Sequence, residues 1–231
     1  MLEIKGFEKV SLIDYPGKMA SIIFLPDCNF RCAFCQNPDL IERPGEVPTV
    51  KEEDVLDYLK EKRVWLDGLV VTGGEPTLHE GVVEFLKKVK ELGLLVKLDT
   101  NGTNPEMLEE LIKEKLLDFI AMDIKAPLDR YGEVSRAKVE IDDIRKSVGL
   151  IRESGLDYEF RTTVPKSLIK VEDIKKIGEW LKGSRAFYIQ QFRPDTTLDK
   201  SFKREGQYTN EELEGLAEVA KPFFEKVEIR V

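Results

Sequence analysis

The stretch Ala20-Ser21-Ile22-Ile23-Phe24-Leu25-Pro26-Asp27-Cys28-Asn29-Phe30-Arg31-Cys32-Ala33-Phe34-Cys35 decides how this chain is read. It begins as an apolar run of strand length. Pro26 and Asp27 end the run, and three thiols follow at C-x3-C-x2-C spacing. These are the chain's only cysteines. An odd, clustered set argues against a disulfide framework and for a metal or cluster site. Thiolates are soft ligands that suit iron–sulfur clusters. Three of them on a four-iron cluster leave one iron open, and an open position is where a substrate can bind. The competing readings are three buried structural thiols, or a zinc-binding module completed by His79. His79 is the single histidine, and most zinc constellations need several His and Cys together.

Outward from that stretch, strand and helix patterns alternate. Thr49 and Glu52 carry a capping-box pattern, which predicts a helix to about Lys62. Residues 68–72 predict a strand entering a tight turn at Gly73-Gly74. Val82, Val83, Leu86, Val89 and Leu92 have helical spacing. Further strands are expected at residues 94–98, 119–124, 158–164, 186–192 and 227–231. Helices are expected at 105–116, 141–154 and 171–181, and from Thr209, with Glu212 as its capping partner, to about Lys221. Residues 1–17 read as a small strand or hairpin leading in.

This alternation predicts an α/β fold with a parallel sheet and helices outside it. Six or seven units are too few for the eight-fold barrel, so a partial, open (β/α)6-type barrel fits. No linker, low-complexity segment or repeat marks a boundary, so residues 1–231 are expected to be one domain. Ligands of such folds bind at the C-terminal ends of the strands.

The chain has 231 residues, 42% of them hydrophobic, enough for one sizeable core. A net charge of −8, from 36 basic and 44 acidic residues, disfavours a nucleic-acid binder with a broad cationic face. No apolar run reaches membrane-spanning length, and no signal-peptide pattern follows Met1. A cytoplasmic protein that meets neither membrane nor nucleic acid is the expectation.

The strand ends carry the remaining chemistry. Thr72-Gly73-Gly74-Glu75-Pro76 follows the second strand; its glycines permit close backbone approach to a ligand, and Glu75 offers negative charge to a cation. Leu98-Asp99-Thr100-Asn101-Gly102 follows the third, and Met122-Asp123-Ile124-Lys125 the fourth. Asp99, Thr100 and Asp123 offer oxygens that could hold a small monovalent cation. Alternatively, Asp99 is a turn or helix-cap residue. Arg161, within an apolar strand, needs a partner if it is buried. Otherwise it faces outward in an ion pair.

The cysteine spacing and its context resemble the radical S-adenosylmethionine (SAM) superfamily over nearly the whole chain. The resemblance implies a [4Fe-4S] cluster on Cys28, Cys32 and Cys35, with SAM on the open iron. It implies reductive cleavage of SAM to methionine and a 5′-deoxyadenosyl radical. Phe34 would lie by the adenine, and Gly73, Gly74 and Glu75 would receive the SAM ammonium. Asp99, Asp123 and Lys125 would surround its methionine end, Lys125 pairing with the carboxylate, and Arg161 would meet the carboxylate or ribose. Gln190 and Gln191, at the end of the sixth strand, would face adenine or substrate.

Ser11-Leu12-Ile13-Asp14-Tyr15-Pro16-Gly17-Lys18, with Gln36-Asn37-Pro38 after the cysteines, is similar to the glycyl-radical-enzyme activating family. Within it, the chain most resembles the activators of anaerobic ribonucleoside-triphosphate reductase. Two positions depart from the pattern. Asp27 replaces a usual glycine, a change that left-handed backbone tolerates in Asp better than in most residues, and Gln36 replaces a usual histidine. With no further cysteines there is no auxiliary cluster or inserted ferredoxin domain, so a flavodoxin or ferredoxin is the expected reductant. The alternative within the superfamily is an enzyme acting on a small molecule, like 7-carboxy-7-deazaguanine synthase.

Overall fold

In the computed structural model, which describes residues 1–231, one eight-stranded sheet runs in chain order. β1 (Gly6–Ser11) is antiparallel to β2 (Ala20–Leu25). From β2 onward all neighbours are parallel: β3 (Gly68–Gly73), β4 (Leu95–Thr100), β5 (Phe119–Asp123), β6 (Asp157–Val164), β7 (Ser184–Gln191) and β8 (Phe224–Arg230). Parallel neighbours need crossovers, and helices supply them. α1 (Pro38–Glu42) and α2 (Glu52–Lys62) lie between β2 and β3, α3 (Gly81–Glu91) after β3 and α4 (Pro105–Lys113) after β4. α5 (Tyr131–Ser135) and α6 (Ile141–Glu153) follow β5, α7 (Val171–Leu181) follows β6, and α8 (Asn210–Ala220) follows β7.

Strand side chains alternate between two faces. One face carries Ile23, Val71, Leu98, Ile120, Phe160 and Ile189, and packs on the helices in the main core. The other carries Ala20, Ile22 and Val70, with Tyr15 folded in beneath them from the β1–β2 connection. Phe24, Thr72, Asp99, Asp123, Thr163 and Gln190, one from each strand β2 to β7, all line a single cleft. Laid flat, those strands would span roughly 24 Å. One cleft of about 320 Å³ cannot touch them all unless the sheet curls. β8 pairs only with β7 and β1 only with β2, so the barrel stays open at that seam.

Thr49 does not cap a helix. Val50 bridges to Ile4, which holds this segment extended, and α2 starts only at Glu52. Thr49 Oγ1 accepts from Lys5 Nζ at 3.0 Å, and Glu52 accepts the Leu2 N–H at 2.8 Å and Lys88 Nζ at 2.6 Å. The expected box instead ties down the chain's N-terminal segment. The second box forms as expected, with Thr209 N–H donating to Glu212 at 2.8 Å and Glu212 N–H to Thr209 Oγ1 at 3.2 Å.

Candidate active site

The cysteine loop begins with a sharp turn. Asp27 takes a left-handed backbone (φ +56°), as its substitution for glycine allows. Cys32 is buried, and Cys28 and Cys35 are partly so. Phe30 N–H donates to Cys28 Sγ and Asn37 N–H to Cys35 Sγ, each at 3.4 Å. Burial pushes the Cys28 thiol up to about 12, with Glu75 adding to it, and the Cys32 thiol to about 11. Cys35 is raised by burial as well. Such thiols keep their protons at neutral pH unless a metal replaces them.

No three His, Cys, Asp or Glu side chains converge as ligands of a single ion. Ligands to separate irons of a cluster do not have to converge on one point. His79 Nε2 lies 2.9 Å from the Pro26 carbonyl, and His79 is not part of the cleft wall. A zinc site completed by His79 therefore has no support in the geometry. Buried thiols with N–H donors on two sulfurs do fit a cluster. Two segments absent from the sequence reading hold the loop: Arg31 N–H bonds the Ser135 carbonyl at 2.8 Å. Leu198 and Asp199 N–H bond the Cys35 and Ala33 carbonyls at 3.1 and 3.0 Å.

Gly73 and Gly74, both on the cleft wall, also have a packing reason to be glycine. A Cβ on Gly74 would stand 1.8 Å from the Asp27 carbonyl oxygen, and one on Gly73 (φ +120°) 2.4 Å from that of Leu25. Both glycines permit close approach to the root of the cysteine loop. Gly74 N–H donates to Leu25 O at 2.9 Å and Glu75 N–H to Asp27 O at 2.8 Å. The Gly73 carbonyl still lies at the cleft and accepts from Asn37 Nδ2 at 2.9 Å.

Glu75 is 1% exposed and accepts four hydrogen bonds. They come from Thr77 N–H at 3.1 Å, Thr77 Oγ1 at 2.6 Å, Thr100 Oγ1 at 2.8 Å and Asn101 N–H at 2.6 Å. Burial pushes its carboxyl up despite these donors. Thr100 is thus turned to Glu75.

Below the cleft mouth the barrel interior is a ladder of charge. Lys97 Nζ donates to Asp99 Oδ1 at 2.5 Å, and Arg161 Nη1 reaches Asp99 Oδ2 at 3.3 Å. Arg161 Nε donates to Asp123 Oδ1 at 3.0 Å, and Lys125 Nζ to Asp123 Oδ2 at 3.3 Å. Burial would raise both aspartates. Arg161, with Lys97 beside Asp99 and Lys125 beside Asp123, outweighs it and holds both below the usual carboxylate range. Arg161 is therefore an interior residue, not an outward one. Deeper, Arg230 grips Glu159 with two bonds of 2.6 Å. All four oxygens of Asp99 and Asp123 face a protein cation, so the charge of the pair is already offset by the chain's own residues.

Phe34 is buried on the cleft wall. Gln191 is not on it: alternation puts Gln190 there and turns Gln191 away, its Nε2 donating to the Tyr208 carbonyl at 2.6 Å. The sequence reading also passed over Asp14, Asn101 and Thr163 as cleft residues. Period two could have placed Thr163, which shares a face with Arg161, and could have chosen Gln190 over Gln191. Nothing local marks Asp14, which arrives with the connection that folds Tyr15 inside.

The sequence profile of the Radical SAM superfamily matches residues 22–182, well over half the chain. A protein of Methanocaldococcus jannaschii assigned as a glycyl-radical enzyme activating enzyme is 36% identical over 233 residues, covering 98% of this chain and 95% of its own. The pyruvate formate-lyase-activating enzyme of Clostridium pasteurianum is 30% identical over 206 residues, covering 86% and 84%. This chain belongs to the radical SAM superfamily, in its glycyl-radical enzyme activating family. Membership makes it an enzyme and implies a [4Fe-4S] cluster and SAM. The crystal structure of QueE from Escherichia coli superposes on this radical SAM chain with a TM-score of 0.62 at 15% identity, covering 100% of this chain and 94% of that one. That likeness is one of fold. No helix is long and apolar enough to cross a membrane.

Proposed function

We propose that this enzyme, with residues 1–231 acting as one catalytic unit, forms a glycyl radical on an anaerobic ribonucleoside-triphosphate reductase. One arrangement carries the reading. Three thiols, one buried and two half-buried, line a cleft whose wall is built from the ends of β2 to β7. In this reading Cys28, Cys32 and Cys35 hold the cluster, and the cleft holds SAM. Bound there, cluster and SAM together supply one-electron cleavage to methionine and a 5′-deoxyadenosyl radical, which takes a hydrogen atom from a glycine Cα of the partner.

The chain's own residues bind and orient. Phe34 offers the adenine an apolar face. The Gly73 carbonyl would accept from the SAM ammonium, and Glu75 keeps that turn in register from within. Lys125 and Arg161 are the cations available to the SAM carboxylate, each steadied by Asp123. The buried strand ends exclude water from the radical. The seam between β8 and β1 admits the partner's glycine segment, and a flavodoxin or ferredoxin delivers the electron.

The choice of reductase rests on Pro16-Gly17-Lys18 and Asn37-Pro38 flanking the cysteines. The experiment is electron paramagnetic resonance of the anaerobically reconstituted enzyme mixed with SAM, dithionite and that reductase. A glycyl doublet is expected. Iron uptake and SAM cleavage without a doublet would refute this partner and leave another glycyl radical enzyme, or a small-molecule substrate, as the target. Failure to take up iron would refute the cluster itself.

A further inference from the structure

Lys97 has no part in the reading above, yet its position demands a reason. It lies on the interior face of β4, its side chain 2% exposed. A buried ammonium is costly unless it is paired and hydrogen-bonded. The only carboxylate within ion-pair distance is Asp99, two residues along the same face, at 2.5 Å. The ring of Phe119, 5.9 Å from Nζ, covers it on another side. Lys97 is not among the residues that line the cleft.

The charges around it add up in one direction. Asp99, Asp123 and Glu159 bring three negative charges; Lys97, Arg161, Lys125 and Arg230 bring four positive ones. Paired interior aspartates at the ends of neighbouring strands are otherwise a natural seat for an alkali ion, a hard cation that takes oxygen ligands. Here each of the four carboxylate oxygens already has a cationic nitrogen partner, and an added ion would sit against ammonium and guanidinium groups that repel it. Without Lys97, Asp99 would keep Arg161 as its sole cationic partner, and Arg161 is shared with Asp123.

We infer that Lys97 is a positioning residue of the SAM site, a cation supplied by the chain itself where the two aspartates would otherwise take a monovalent ion. The inference rests on the reading that Asp99, Asp123 and Arg161 surround SAM. Lys97 neutralises Asp99 and fixes its carboxylate. Asp99 and Asp123 then hold the Arg161 guanidinium between them in one orientation. The site is complete without an alkali ion.

The test is SAM binding by equilibrium dialysis to the anaerobically reconstituted enzyme. Sodium, potassium and tetramethylammonium chloride are compared at equal ionic strength. Wild-type affinity is expected to agree within about twofold in all three salts. Lys97→Met removes the charge while keeping the stem. It is expected to weaken binding about tenfold in tetramethylammonium, the scale on which a residue that does not touch the ligand couples to it, with sodium or potassium restoring most of it. Lys97→Arg keeps the charge and is expected to stay indifferent to the salt. Three results would overturn the inference: alkali dependence in the wild type, a Lys97→Met variant equally weak in every salt, or one as tight as wild type without alkali ions. Should Lys97→Met not fold, the wild-type and Lys97→Arg salt series still decide, since alkali dependence in either contradicts a built-in cation. Absence of SAM binding by the wild type in every salt is a different result, and it defeats the proposed function itself.

Discussion

Glu75 accepts the backbone N–H of Asn101 at 2.6 Å, so the turn after β3 is tied to the turn after β4. Asn101 passes the link on: its Nδ2 donates to Asn29 Oδ1 at 2.9 Å and approaches Cys28 Sγ at 3.8 Å. One buried carboxylate thereby joins two strand ends to the cysteine loop. Glu75→Ala would strand two backbone N–H groups and two hydroxyls, at a cost of about 3 kcal/mol. Urea unfolding checks this. A loss below about 1 kcal/mol, the worth of a single ordinary hydrogen bond, would mean the turns are held by other contacts.

Gly74 tests the same junction sterically. The methyl of Gly74→Ala meets the Asp27 carbonyl, which belongs to backbone and has little freedom to move. The expected loss is about 1–3 kcal/mol, as for overpacking elsewhere. Because Asp27 precedes Cys28 directly, iron content after anaerobic reconstitution should fall as well. Full stability together with full iron loading would show that the junction yields more easily than its geometry implies.

The aspartate pair makes stability depend on pH. Asp99 and Asp123 lie below their ordinary value of 3.8 in the folded chain, held there by Arg161, Lys97 and Lys125 against the opposing effect of burial. As pH falls through 3.8, the unfolded chain binds these protons before the folded one does. Their contribution is therefore present above that pH and lost below it. Asp123→Asn should flatten the acid limb of stability against pH, measured by urea unfolding from neutral pH downward. Parallel wild-type and variant curves would mean that Asp123 does not titrate with unfolding.

Much of this was legible in the sequence because it depends on local pattern. The apolar runs gave the strands, and the strand ends gave the motifs, since β/α folds place their ligands there. Cys28, Cys32, Cys35, Gly73–Glu75, Asp99, Asp123, Lys125 and Arg161 all reach one cleft. What stayed hidden depends on contacts far apart in the chain. Thr49 matched a capping box, but a bridge from Val50 to Ile4 overrode it. Glu75 carried the right motif, yet its four donors come from two different turns, and no spacing rule announces them. Gln191 lost its expected place to Gln190 because the face of a strand end is decided by the register of its whole strand. Lys97 reads as an ordinary strand residue, and its weight comes from the burial of its ammonium against Asp99, which Arg161 reaches from two strands away.

The most direct test follows the hydrogen atom. The partner reductase is prepared with glycine deuterated at Cα and mixed anaerobically with this enzyme, SAM and reductant. Mass spectrometry then reads deuterium in the 5′-deoxyadenosine. The account predicts one deuterium transferred for each glycyl radical formed. 5′-Deoxyadenosine that forms in the presence of the labelled reductase and carries no deuterium would contradict it.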